Sequence, residues 1–287
     1  MPELPEVETI VRELNQKIKG KKIKTIEVHI AKMINLSVAV FRKKIVGATI
    51  RNIRRRAKII IIDLGKADFV IVHLKMTGQL IYQAKSGQLI VGGHSIVGGL
   101  VDLPNRYTQI IWQFTDGSHL FYNDLRKFGW FKSVSSKQLA AIEQKYGIEP
   151  LSSEYNLKSF EQIIKCYPRK KIKQLLLDQE LIAGIGNIYA DESCWCAQIK
   201  PTRPAGSLKS VEIRKLFYCL PKILKLSINH GGTSANTYVR TDGRPGGFVP
   251  YLKVYGRAKQ KCRRCGQPVQ KIKLSGRGTH YCDQCQK

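Results

Sequence analysis

A chain of 287 residues is long enough for two modest domains, and a hydrophobic content of 43% excludes a wholly disordered polypeptide. Lys and Arg number 49 against 21 Asp and Glu, a formal charge of +28, which points to a polyanionic partner, nucleic acid before an acidic membrane surface. No apolar run approaches the roughly 18–20 residues of a membrane span, and the acidic start Met1-Pro2-Glu3-Leu4-Pro5-Glu6 lacks the apolar stretch of a secretory signal.

These features predict a cytoplasmic protein with no membrane association. In a reducing cytosol, eight cysteines are expected as metal ligands or buried thiols, not as disulfides.

Along the chain, Val7, Ile10, Val11, Leu14 and Ile18 fall on one face of a helix. Pro5 suits its first turn, Glu6 and Glu8 complement its positive end, and Gly20 ends it. Strand patterns follow: Ile26, Val28 and Ile30 alternate, and short apolar runs occupy residues 59–64, 69–74, 110–114, 120–122 and 130–134. Strands without intervening helices predict an antiparallel sandwich or barrel. A Gly-rich stretch, Val91-Gly92-Gly93-His94-Ser95-Ile96-Val97-Gly98-Gly99, reads as a loop or extended hairpin. Helical patterns return over residues 137–145, 157–165, 170–178, 188–196 and 208–229. This divides the chain into a β-rich part (residues 1–135), a helical part (136–256) and a basic, cysteine-containing tail (257–287).

Cys262-x2-Cys265 and Cys282-x2-Cys285 are separated by 16 residues, enough for a hairpin. Two such pairs supply four thiolates to one tetrahedral centre, so one structural zinc with no open coordination position is predicted. So short a segment cannot bury enough surface to fold alone, and the metal would stabilise it. Arg277, between Gly276 and Gly278 in that hairpin, is a candidate contact to DNA phosphate or groove.

The opening residues offer a second chemistry. Removal of Met1 would leave Pro2 as a free secondary amine, and α-amino groups titrate far below lysine. Such an amine attacking C1′ of a damaged nucleotide gives an iminium ion, an electron sink for elimination of the 3′-phosphate, with Glu3 adjacent to move protons.

Pro2-Glu3-Leu4-Pro5-Glu6-Val7-Glu8-Thr9 resembles the N-terminus of the bacterial formamidopyrimidine-DNA glycosylase family. The resemblance continues through Arg56-Ala57-Lys58, His73-Leu74-x-Met76-x-Gly78, Asn123-Asp124-x-Arg126-Lys127-Phe128-Gly129 and Ile172-Lys173. It runs on through Gly184-x-Gly186-Asn187-Ile188-Tyr189-Ala190-Asp191-Glu192, Tyr238-x4-Gly243-x-Pro245-Gly246 and the four cysteines, in family order over the whole chain.

The resemblance implies an α+β multidomain fold: a β-sandwich with an N-terminal helix, a helical helix–two-turn–helix domain, and a zinc-finger β-hairpin. It implies a monomeric, nucleoid-associated base-excision-repair enzyme acting on double-stranded damaged DNA held between its domains. This enzyme would remove 8-oxoguanine and formamidopyrimidines and then cleave the strand by β,δ-elimination. Pro2 would form the Schiff base, Glu3 would serve as general acid/base, Glu6 would support the site, and Lys58 would reach the damaged nucleotide. Met76, Arg126 and Phe128 would fill the space left by the flipped base, Arg126 facing the orphaned cytosine. Lys173 and Asn187 would grip flanking phosphates, with Asn187 capping its helix. Tyr238 joins the DNA contacts, and residues 231–238 would form the loop that closes over the lesion.

The chain departs from the family pattern in places. Lys75 precedes Met76 where glycine is common, and Lys127 stands where many members have Arg, losing the planar fork. Residues 104–109 lack the usual histidines, leaving Arg106 as the candidate phosphate contact there, and residues 84–104 are expanded. Two other readings stand beside the main one. An endonuclease VIII-like enzyme for oxidised pyrimidines more often has Gly at the position of Leu4. A catalytically silent zinc-finger DNA-binding protein would not need Pro2, Glu3 and Glu6 together.

Overall fold

The computed structural model describes the whole chain except residues 88, 95–102, 234–237 and 240–245. It forms two compact units, Met1–Gln144 with Gly231–Gly247, and Lys145–His230 with Phe248–Lys287. Part of the Gly-rich stretch and half of the predicted lesion loop therefore lie outside the described residues.

The first unit opens with α1 (Leu4–Ile18), whose Pro5 sits in the first turn. Gly20, at φ +83°, turns the chain into β1 (Ile23–Val28). Then come α2 (Val38–Ile45), β2 (Asn52–Arg56), β3 (Ile59–Asp63), β4 (Asp68–His73), β5 (Gly78–Gln83), β6 (Leu89–His94), β7 (Thr108–Phe114), β8 (His119–Asp124), β9 (Trp130–Ser135) and α3 (Ser136–Glu143). The short β10 (Tyr238–Val239) returns to this unit from far along the chain.

Among the described residues, one antiparallel sheet runs β1-β7-β8-β5-β6-β10 and a second runs β2-β3-β4-β9. Alternate residues of both sheets meet in one core: Ile60, Ile62, Val70 and Val72 from the second, and Leu80, Ile110, Trp112, Leu120 and Tyr122 from the first. The α1 residues Val7, Ile10, Leu14 and Ile18 pack into the same core. Each fully buried side chain of this kind contributes about 1.5–3 kcal/mol. β3 is an unbroken run of isoleucines because Ile59 and Ile61 are also buried.

Three elements of this unit were not anticipated. α2 shows only two buried apolar anchors, Phe41 and Ile45, and is capped by the Ser37 side chain accepting from Val40 N–H. β2 is mostly charged, and only Ile53 is fully buried. β5 begins at Gly78, and its apolar residues Leu80, Ile81 and Tyr82 are buried between two polar glutamines.

The second unit holds α4 (Leu157–Cys166), α5 (Ile172–Leu177), α6 (Asn187–Ala197), α7 (Ser210–Asn229) and the hairpin β11 (Gln270–Leu274) and β12 (Arg277–Tyr281). The turn between α5 and α6 is held by Gln179. Its Nε2 donates to Leu177 O and Ile185 O, and its Oε1 accepts from Gly184 N–H. Gly147 belongs to the same knot: a Cβ there would lie 2.1 Å from Leu181 O.

Two expectations are corrected here. The N-cap of α6 is Gly186, and Asn187 is the first helical residue. Cys196 and Cys219 form a disulfide between α6 and α7. The two helices pack side by side and bring those Cα atoms to 5.9 Å, within bridging range, although 23 residues separate them in sequence. Among the described residues, no helix is long and apolar enough to cross a membrane.

Candidate active site

The chain begins in the first unit against the start of α1. Pro2 is buried, and Glu3 and Glu6 are 4% and 2% exposed. Glu6 Oε2 accepts from Glu3 N–H at 2.8 Å, and Glu6 Oε1 accepts from Thr233 N–H at 2.8 Å. The α-amino group, carried here by Met1, is held below its ordinary value of 8.0 chiefly by burial. The charges of Glu3 and Glu6 pull it up, and those of Lys58 and Arg126 push it down. Lys58 follows Ala57, which turns the β2–β3 connection at φ +52°, and it is 7% exposed. Pro2, Glu3, Glu6 and Lys58 are thus brought into one buried, charged cluster around the amino terminus.

His73, at the end of β4, belongs to this cluster and was not singled out as a site residue. Its pKa is pushed down to about 3 by burial, then by the charges of Lys75, Lys58 and the amino terminus. Its Nδ1 accepts from Lys75 N–H at 3.0 Å, which assigns the ring proton to Nε2. Its imidazole lies 5.6 Å from the Trp130 ring.

Met76 and Phe128 are 41% and 55% exposed, so neither is core. The Arg126 guanidinium stacks over the Phe128 ring at 4.7 Å. Lys127, between them, is exposed and takes a left-handed conformation at φ +57°. Arg106 is exposed and lies over the Tyr107 ring at 4.8 Å. The backbone of Tyr238 lies in β10 and pairs with His94 of β6, and Val239 pairs with Gly93.

In the second unit the structure corrects the expectation for Lys173. Its side chain is 1% exposed; Nζ pairs with Asp191 Oδ1 at 2.7 Å and donates to Gly278 O and Thr279 Oγ1. A buried ammonium with its three donors occupied is a strut between α5, α6 and the β11–β12 hairpin, not a phosphate contact. Asp191 Oδ2 completes the joint by accepting from His280 N–H at 2.8 Å. Asn187 Nδ2 donates to Gly278 O at 2.9 Å, so it too is turned toward the hairpin. Glu192 accepts the amides of Lys253, Val254 and Tyr255. The acidic pair of α6 therefore docks the tail segments. Arg277 stays exposed at the start of β12.

The sulfur atoms of Cys262, Cys265, Cys282 and Cys285 all lie within 4.8 Å of one another. The Cys262–Cys285 and Cys265–Cys282 separations are 3.9 and 3.4 Å, near the roughly 3.8 Å that tetrahedral coordination at about 2.3 Å imposes. Arg264 N–H donates to Cys262 Sγ. Four soft thiolates at this spacing fit one structural zinc, which would tie both ends of the β11–β12 hairpin together.

The formamidopyrimidine-DNA glycosylase N-terminal domain matches residues 1–131, the H2TH domain of the same enzymes matches residues 146–239, and a zinc finger found in FPG and IleRS matches residues 259–287. The chain belongs to the formamidopyrimidine-DNA glycosylase family. It is 39% identical over 290 residues to the formamidopyrimidine-DNA glycosylase of Streptococcus mutans, covering 100% of both chains. It is similar to the Lactococcus lactis Fpg solved with DNA containing an abasic site (TM-score 0.88, 36% identity, 99% of each chain). It is equally similar to a mutant of that enzyme with Fapy-dG containing DNA (TM-score 0.88, 36% identity, 100% of each chain). Family membership and the four-cysteine cluster together assign one structural zinc to the tail.

Proposed function

We propose that this protein is a bifunctional DNA glycosylase and abasic-site lyase of base excision repair, acting on oxidised purines in double-stranded DNA. The observation that carries this reading is the buried cluster at the amino terminus, where Glu3, Glu6 and Lys58 gather beside the buried Pro2. With Met1 removed, an α-amino group stands there, and it is far more unprotonated and nucleophilic near neutral pH than a lysine.

With Met1 removed, the Pro2 nitrogen attacks C1′ of the damaged nucleotide. The N–C1′ bond forms as the glycosidic bond breaks, and the base leaves with a proton supplied through Glu3. Ring opening gives an iminium ion. Loss of a C2′ proton then expels the 3′-phosphate, a second elimination expels the 5′-phosphate, and hydrolysis of the iminium frees Pro2. Lys58 would meet a nucleotide phosphate or the modified base.

The attack requires an extrahelical nucleotide, whose extrusion costs a few kcal/mol of stacking, as a rough estimate. The exposed Met76, Phe128 and Arg126 support a role in refilling the stack, and the Arg126 fork suits a cytosine edge. Arg106, Lys127, Asn187, Tyr238 and Arg277 are proposed DNA contacts. A chromosomal substrate puts the working enzyme in the cytoplasm at the nucleoid.

Borohydride trapping tests the reading on duplexes carrying 8-oxoguanine opposite cytosine, with a 5-hydroxycytosine duplex alongside. The expected result is a covalent adduct on the first duplex, sharply reduced in Pro2→Gly, from a protein whose intact mass lacks Met1. Trapping mainly on the pyrimidine lesion would transfer the protein to the endonuclease VIII-like branch. Tight binding with no adduct, despite Met1 removal, would make it a DNA-binding protein without the chemistry.

A further inference from the structure

Asp124, the last residue of β8, is 0% exposed, and both its oxygens are committed to two separate turns. Oδ1 accepts from the Thr77 hydroxyl and from Arg126 N–H at 3.2 Å. Oδ2 accepts from Gly129 N–H at 2.8 Å and from the Tyr122 hydroxyl at 3.1 Å. Thr77 Oγ1 also accepts from Arg126 N–H at 3.0 Å. One turn, closed by Gly78 N–H donating to Leu74 O at 2.9 Å, carries Met76. The other, residues 125–129, carries Arg126 and Phe128.

The glycines at the ends of these turns make room for the same hydroxyl. A Cβ on Gly129 would lie 1.7 Å from Tyr122 Oη, and one on Gly78 would lie 2.7 Å from it. Tyr122 is itself buried, and its pKa is raised well above 10 by burial and by the Asp124 charge, so it stays a donor. Backbone amides and hydroxyls bonded to one buried carboxylate form short, directional, charge-assisted contacts. They leave the two turns little independent freedom, while the side chains they present stay exposed.

We propose that Asp124 is a positioning residue that couples the Met76 turn to the Arg126–Phe128 turn, so that the three side chains enter the DNA stack as one rigid unit. Asp124 itself does not reach the lesion. The inference rests on the glycosylase reading above, and it concerns base extrusion, not bond breaking at C1′. A loss at Asp124 should therefore fall on substrates that must be opened and spare those already open.

The test compares wild type, Asp124→Asn and Thr77→Val. Asparagine keeps the shape but points an NH2 at groups that are themselves donors. Thr77→Val removes the hydroxyl that joins Asp124 and Arg126 N–H to the Met76 turn, keeps the Asp124 carboxylate, and guards against misfolding of the first variant. Single-turnover excision of 8-oxoguanine opposite cytosine is measured beside strand cleavage at an abasic site facing a one-nucleotide gap, where no partner base needs filling. A 2-aminopurine next to the lesion reports the rate of stack opening.

Relative to cleavage at the open site, excision from the paired duplex should fall about tenfold, the effect of losing one charge-assisted hydrogen bond. The 2-aminopurine rise should slow in parallel. Equal losses on both substrates, or an unchanged ratio in both variants, would overturn the coupling role. Failure of the wild type to excise the lesion or to form the borohydride adduct would instead overturn the glycosylase reading, and the coupling role with it.

Discussion

Glu6 Oε1 accepts the backbone amide of Thr233, a residue 227 positions away, at 2.8 Å. The same carboxylate accepts Glu3 N–H through its other oxygen. One buried carboxylate thus ties the first turn of α1 to the segment that returns from α7, and Gly246, whose Cβ would lie 2.4 Å from Gly232 O, closes that segment at its base.

Glu6→Gln tests the tie. An amide can accept one of the two N–H groups but presents its own NH2 to the other. The expected cost is about 1–3 kcal/mol of stability, read by denaturant unfolding, with a larger fractional loss of 8-oxoguanine excision than of overall DNA affinity. Equal stability and full excision would show that the carboxylate is not needed at this joint.

Lys173 and Asp191 should behave as a structural pair. Lys173→Met leaves a buried, unpaired carboxylate and is expected to cost about 3–5 kcal/mol. Adding Asp191→Asn should recover part of the loss. The dependence of DNA affinity on salt separates this strut from a phosphate contact: the slope of log K against log salt should stay unchanged in the folded Lys173 variant. In Arg277→Ala it should shrink by about one.

His73 predicts a pH dependence. It is neutral when folded, with a pKa of about 3, and titrates near 6.5 when unfolded. The unfolded chain therefore binds the proton first. Stability from this residue is complete above pH 6.5 and declines as pH falls toward 3, with a limiting slope of about 1.4 kcal/mol per pH unit. Between pH 6.5 and 5, above most carboxylates, His73→Gln should flatten the unfolding free energy against pH. Parallel curves for the two proteins would refute the assignment.

Zinc removal should act on the tail first. A chelator is expected to release one zinc per chain, measured by a colorimetric zinc indicator, and to expose the β11–β12 amides to hydrogen exchange. DNA binding should fall while the Pro2 amine remains reactive. Cys265→Ser should reproduce the effect, and full DNA affinity in that variant would show the finger to be dispensable.

Much of the molecule could be read before any coordinates. The 3.6-residue spacing from Val7 to Ile18, the isoleucine run of β3 and the paired cysteines are local signals, because a helix face, a buried strand and a metal knuckle each write their requirement into a few neighbouring residues. The motif blocks likewise located Pro2, Glu3, Glu6 and Lys58, which the fold then gathers around one amine. β2 escaped because its pattern is mostly charged, and α2 because its apolar residues run together from Val38 to Phe41 before three basic ones, which shows no helical period.

Only tertiary structure could separate residues of similar type by role. Lys173 and Arg277 look alike as cations in a +28 chain, yet Lys173 is sealed against Asp191 while Arg277 faces solvent. Asp124 lies between residues named for DNA contact but turns inward to four donors. Cys196 meets Cys219 only because α6 and α7 lie together. Burial and pairing depend on partners distant in the chain, so a residue's type and its sequence neighbours cannot reveal which of its neighbours in space will complete it.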